Sequence, residues 1–167
     1  MSASRNNPDY EIRIHVETRP FPINTARIGK LIRQVLCRFE VPAACADIAV
    51  MDDTALSRMH ARYLGRSKIT DVISFDLSED PAGFRCFQIF VNAQEAARQA
   101  ARRGHSPQAE LALYIVHGLL HQFGYDDTSP SSARRMHRLE DQILEQYGWG
   151  AVYYPRQSET ERKRKRE

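Results

Sequence analysis

His117 and His121, four residues apart, and the adjacent pair Asp126 and Asp127 are the residues of this 167-residue sequence whose types and spacing suggest chemistry. On a helix, positions i and i+4 share a face, with Cβ atoms about 5–6 Å apart. Two imidazoles so placed can reach one ion at about 2.0–2.1 Å each. Gly124 stands between the histidines and the aspartates. A glycine there can adopt left-handed backbone and stop the helix, turning the chain back so that one aspartate is aimed at the same point. Two nitrogens and a carboxylate are a donor set used by open catalytic zinc sites, which keep a fourth position for water. Apolar Ile115, Val116, Leu119, Leu120 and Phe123 flank the histidines and would hold them in a largely dry wall. Histidines at this spacing can also be ordinary core or surface residues. The added Gly-x-x-Asp and the apolar flanks favour the metal site. His60, His105 and His137 lack such company and read as solvated or structural histidines.

Zinc peptidases with this spacing carry a glutamate directly after the first histidine, as general base for the metal-bound water. Here that position is Gly118. The helix cannot supply the base, so peptide hydrolysis by that route is not expected.

The elements that must position these residues follow from periodicity. Tyr10 to Glu17 alternates apolar and polar and reads as a half-buried strand. Asn24 can cap a helix with Ile28, Leu31, Ile32, Val35, Leu36 and Phe39 at helical spacing, and Val41-Pro42 breaks it. A second strand is expected over Ala46 to Met51. Asp52-Asp53-Thr54 can then cap a helix carrying Leu56, Met59 and Tyr63. Asp71 to Phe75 and Arg85 to Val91 read as strands, joined by a turn-rich segment suited to antiparallel pairing. Asn92 can cap a helix to Arg103, and Ser106-Pro107 opens a longer one reaching about Phe123. Ser131 to Tyr147 is the last helix, with Met136, Leu139, Ile143 and Leu144 on its buried face. Strands and helices mix without strict alternation, which predicts an α+β domain, about four strands in a mixed sheet packed by helices.

Length fits a single domain, long enough to bury about two-thirds of its unfolded surface without staples. The cysteines, Cys37, Cys45 and Cys86, are odd in number and lack Cys-x-x-Cys spacing, which argues against a disulfide framework or a cysteine zinc site. Cys37 and Cys45 could pair, but reduced thiols are expected. No signal peptide or membrane span is legible, so a soluble cytoplasmic protein is expected. The net charge of +3 resides wholly in residues 156–167. Residues 1–9 and this basic tail are expected to be disordered around a domain over 10–155. The tail can be read as an aid to binding a nucleic-acid polyanion through counterion release or as a solubilising end.

The stretch from His117 to Asp127 (His-Gly-Leu-Leu-His-Gln-Phe-Gly-Tyr-Asp-Asp) resembles the signature His-Gly-x-Leu-His-x-x-Gly-Tyr-Asp-His of the YbeY endoribonucleases. Thr70 to Phe75 is similar to that family's Thr-Asp-Val-Leu-Ser-Phe, and Phe87 to Asn92 stands where it has Gly-Asp-Ile-Val-Ile-Ser. The resemblance spans roughly residues 47 to 144. It implies a zinc ion held by the three signature positions, here His117, His121 and Asp127, with Asp126 as a turn residue or a group behind the ligands. It also implies cleavage of single-stranded RNA in ribosomal RNA maturation, at the 3′ end of the small-subunit RNA, and in ribosome quality control. Aspartate replaces the family's third histidine. A carboxylate is a legitimate zinc ligand, and its charge makes the metal a somewhat weaker Lewis acid.

Many members carry an arginine before Thr-Asp-Val that is thought to meet RNA. Leu64 aligns there, so Arg62, Arg66 and Lys68 are the candidate replacements, Arg66 foremost, to hold phosphate oxygens as charge develops. A solvated loop is the competing reading. The general base is not legible: Asp126 and metal-bound hydroxide are the candidates, while Asp71 reads as structural. The competing functions are another zinc hydrolase, a peptidase or phosphoesterase, and a non-catalytic ribosome-associated metal protein.

Overall fold

The alternation around Ile12, Ile14 and Val16 forms the edge strand β1 (Asp9–Val16), with those residues half-buried and their neighbours exposed. The structure is a computed structural model that describes residues 8–65 and 68–154. β1 starts inside the stretch expected to be disordered, because Asp9 already pairs with Ala43. Arg66 and the tail beyond Tyr154 lie outside the described residues.

Asn24 caps α1 (Thr25–Arg38), its side chain accepting from the Arg27 amide, and the helix buries Ile28, Leu31, Ile32, Val35 and Leu36. Next comes β2 (Ala43–Met51), which starts three residues earlier than the periodicity suggests. Ala43, Ala44 and Cys45 carry little strand propensity, but ladders on both sides outweigh propensity in a central strand. Asp52 caps α2 (Asp53–Leu64), which Gly65 ends in left-handed backbone. β3 (Val72–Asp76) and β4 (Phe84–Asn92) pair antiparallel, whereas β4 on β2 and β2 on β1 are parallel. The sheet order is β1-β2-β4-β3. Thus β3 is the second edge of an α+β mixed sheet. Asn92 and Ser106 cap α3 (Ala93–Arg103) and α4 (Pro107–Gln122), and α5 (Pro130–Gln146) starts with a reciprocal capping box between Ser129 and Ser132.

The core lies between the sheet and α1, α4 and α5. A smaller cluster of Met51, Leu56, Ile73 and Phe90 lies under α2. A helix that is apolar on all sides belongs in the interior, and α4 is such a helix, buried almost continuously from Ala109 to Leu120. The close approach of α4 to the sheet depends on Gly118. A Cβ there would meet Val72 Cγ2 at 3.1 Å and Ser74 Cβ and Ile89 Cγ2 at 3.3 Å. The position that holds the glutamate in zinc peptidases therefore faces the sheet at a distance that leaves no room for a side chain of that size. Cys37, Cys45 and Cys86 are all free thiols, with Cys37 exposed and Cys45 buried.

Candidate metal centre

α4 ends in a Schellman motif. The Gly124 amide donates to the His121 carbonyl and the Tyr125 amide to the Leu120 carbonyl, both at 3.1 Å, with Gly124 at φ 89°. This turn does two things for the site. It points the Tyr125 carbonyl at His121, whose Nδ1 lies 3.0 Å away. It also brings Asp127 back over the histidines, with Oδ2 3.8 Å from His117 Nε2 and Oδ1 3.9 Å from His121 Nε2. The donor atoms of His117, His121 and Asp127 all lie within 4.8 Å of one another.

The outward-facing nitrogens are fixed by what lies behind them. His117 Nδ1 donates to Glu140 Oε1 at 2.6 Å, and Glu140, on α5, is completely buried. A carboxylate and a carbonyl only accept hydrogen bonds, so both Nδ1 atoms carry the proton. In neutral imidazoles that leaves the two Nε2 lone pairs facing each other 2.9 Å apart with a carboxylate beside them. Three electron-rich donors converging on one point repel one another unless a cation lies between them. In tetrahedral zinc, donors bound at about 2.0–2.1 Å stand roughly 3.3 Å apart, and the observed separations bracket that value. The residues fit the metal. Burial lowers the affinity of the His117 imidazole for a second proton, but the Glu140 hydrogen bond and charge, with Asp71 and Asp127, outweigh it and the net shift is upward.

Glu140 is the functional residue least evident in the sequence. Its signal is a charged residue on the apolar stripe of α5, between Met136 and Ile143. Buried carboxylates of this kind are costly unless paired. His117 is its partner, in the manner of the carboxylate–histidine–zinc arrangement that fixes tautomer and ring orientation.

The histidines open on a cleft of about 360 Å³ between β3 and the C-terminal half of α2, lined by Thr70 to Phe75, Gln122, His60 and Leu64. Gln122 donates to Ser74 Oγ at 2.7 Å, clamping the end of α4 to β3. His60, which its sequence neighbours give no reason to single out, lines this cleft because the last two turns of α2 lean over it. His105 is engaged elsewhere, 2.7 Å from buried Glu110, and His137 stacks on Tyr153. Asp71 forms part of the cleft wall, and its Oδ1 accepts from the Val72 amide at 2.9 Å and from Thr70 Oγ1 at 3.2 Å.

That wall is held by Asn92, fully buried. Its amide donates to the Asp71 carbonyl, and its Nδ2 to the Thr70 carbonyl and to Asp53 Oδ1. Asp53 in turn receives both Arg98 guanidinium nitrogens, at 2.8 and 2.7 Å. Asp126 turns away from the metal point. Its Oδ1 accepts from the Thr128 amide and hydroxyl and from Ser132 Oγ, tying the loop to α5. Arg62 and Lys68 are exposed and do not line the histidine cleft; the Arg62 guanidinium lies 5.7 Å from the Tyr63 ring, and Lys68 lines a separate pocket with Glu95 and Tyr153.

A family model described as Endoribonuclease YbeY matches residues 13–148. Endoribonuclease YbeY of Thermobifida fusca is 33% identical over 137 residues, covering 77% of this chain and 87% of that protein. Endoribonuclease YbeY of Mycobacterium tuberculosis strain H37Rv is 32% identical over 136 residues, covering 75% and 77%. The solution structure of TM1509 from Thermotoga maritima superposes with a TM-score of 0.54 at 19% identity, over 81% of this chain and 91% of that one, a likeness of fold alone.

Proposed function

The chain belongs to the endoribonuclease YbeY family, and on that premise we propose that it is a zinc-dependent endoribonuclease acting on single-stranded RNA. The observation that carries this reading is the convergence of the Asp127 carboxylate on two Nε2 lone pairs whose histidines line an open cleft. When bound, zinc supplies Lewis-acid polarisation of a phosphodiester and lowers the pKa of water. The chain's own residues then have separate tasks. Glu140 and the Tyr125 carbonyl orient the imidazoles. The apolar surroundings of α4 exclude water from behind them, which strengthens electrostatic interactions inside the site. Asp127 is the most exposed of the three ligands and forms the solvent side of the centre. Arg62 and Lys68, with Arg66 from the adjoining segment, are positioned in sequence to meet phosphate oxygens as charge develops.

The substrate we propose is ribosomal RNA, with maturation of the small-subunit 3′ end and ribosome quality control as the setting and the cytoplasm as the place. This rests on family membership. The peptidase alternative is disfavoured by the packing at Gly118, which leaves no site on α4 for a general-base glutamate.

The test is zinc content and cleavage of a single-stranded RNA for the wild type, His117→Ala and Asp127→Ala. Loss of both metal and cleavage in His117→Ala is expected. RNA cleavage that survives without metal would sink the catalytic reading, and full zinc retention in Asp127→Ala would move the third ligand elsewhere. Cleavage of a peptide but not of RNA would transfer the site to the competing hydrolase class.

A further inference from the structure

Tyr63 shares α2 with Leu56 and Met59 at helical spacing, yet it is 57% exposed and Leu64 beside it 52%. Leu56 reaches the small core under α2, whereas Tyr63, on the last turn, lies outside that cluster. Its ring is nevertheless not loose. It meets Phe75 edge-on at 5.6 Å between centroids, and Phe75 meets Phe90 in the same way at 6.3 Å. Phe90 belongs to the core and Phe75 lines the metal cleft. Three rings thus run from the interior, past the cleft wall, to an exposed aromatic surface at its rim. Leu64 and His60 of the same helical turns line the cleft itself.

We propose that Tyr63 is a stacking platform for an unpaired nucleobase of the RNA strand whose phosphodiester lies in the metal cleft. The inference rests on the ribonuclease reading of that cleft and adds a residue that selects single strands. Three observations favour a base as the occupant. Tyr63 is an exposed ring held beside Phe75, and every base presents a π-face that stacks on an aromatic ring without regard to sequence. The Arg62 guanidinium, over the ring at 5.7 Å from its centroid, offers a positive group to the phosphate that accompanies each base. Finally, the platform sits on the rim of the cleft that holds the metal ligands, so one strand can engage both. In a duplex the bases are already stacked and paired, so they cannot reach Tyr63. Single-strand preference then follows from the ring. Tyr63 positions substrate and touches no reacting atom.

The experiment uses the zinc-loaded full chain and a fluorescently labelled single-stranded RNA, comparing wild type, Tyr63→Ala, Tyr63→Phe, Tyr63→Trp and Tyr154→Ala. Tyr154 is a similarly exposed tyrosine, at 52%, and serves as the control. The expected result is a rise in KM of about fivefold to a hundredfold for Tyr63→Ala, the range that base–aromatic stacking spans, with a smaller change in kcat. Tyr63→Phe and Tyr63→Trp restore KM, and Tyr154→Ala matches wild type. A wild-type KM in Tyr63→Ala overturns the proposal while leaving the ribonuclease reading intact. So does an equal rise in Tyr154→Ala, or a failure of both aromatic replacements to restore binding. Absence of RNA cleavage by the wild type would instead remove the ribonuclease reading, and this proposal with it.

Discussion

Replacing Glu140 by glutamine removes a charge and almost nothing else. The two side chains are nearly the same size, and the carboxylate is wholly buried, so no solvent rearrangement confuses the comparison. In the wild type His117 Nδ1 donates to an ionised acceptor at 2.6 Å. Hydrogen bonds to charged groups contribute about 1.5–3 kcal/mol and neutral ones about 0.5–1.5 kcal/mol. The glutamine carbonyl can still accept, so the difference is about 1–1.5 kcal/mol, close to tenfold in an equilibrium constant. That difference is felt at the metal because the charge behind the ring raises the basicity of Nε2. Glu140→Gln is therefore expected to bind zinc about tenfold more weakly. Glu140→Ala, which also releases the ring, should fall within the range of about 10- to 100-fold seen for lost outer partners. The assay is competition with a chromophoric chelator at fixed pH, with circular dichroism to check the fold. Zinc affinity unchanged within twofold in both variants would refute the reasoning.

Two further perturbations probe the frame around the centre. Gly118→Ala gains about 1 kcal/mol of helix propensity, but its methyl group meets Val72, Ser74 and Ile89 at 3.1–3.3 Å, and overpacking costs about 1–3 kcal/mol. Net destabilisation of about 1 kcal/mol in urea unfolding is expected, and net stabilisation would show that β3 yields freely. The Arg98 hydrogen bonds hold the Asp53 carboxyl below its ordinary value of 3.8, with burial opposing and the Asn92 amide assisting. A carboxyl depressed in the fold contributes stability above its unfolded pKa and loses it as pH falls through the folded one. Asp53→Asn should thus be less stable than wild type at neutral pH, with a narrower gap at pH 3. A gap of equal width at both would contradict this account.

The helix-bearing parts of this fold are written locally. Asn24, Asp52, Asn92 and Ser106 each accept from an amide three residues on, and such caps act within one turn, so sequence spacing reveals them. His117 and His121 are equally local, and Gly124 signals the turn that brings Asp127 to them. The order β1-β2-β4-β3 is not local, because it depends on which strands share a core rather than on any one segment's pattern. Glu140 lies 23 residues from His117 and is joined to it only when α5 packs on α4. His60 and Tyr63 escape for a related reason. Helical periodicity says which residues share a face, but tertiary packing decides where along α2 that face ceases to be covered. The small core under α2 takes Leu56 and Met59 and leaves Tyr63 outside it.

The connection between α4 and α5 also constrains how this chain can vary. Surface loops generally accept extra residues at small thermodynamic cost. Here three successive residues are each committed to a different element: the Tyr125 carbonyl to His121 on α4, Asp126 to Ser132 on α5, and Asp127 to the metal point. A single inserted residue would shift at least one of these out of register, and no compensating slip of either capped helix could restore all three. Loop length here is therefore set by coordination chemistry. Variation among descendants of this chain should appear as substitution within the turn, with insertions and deletions confined to other connections.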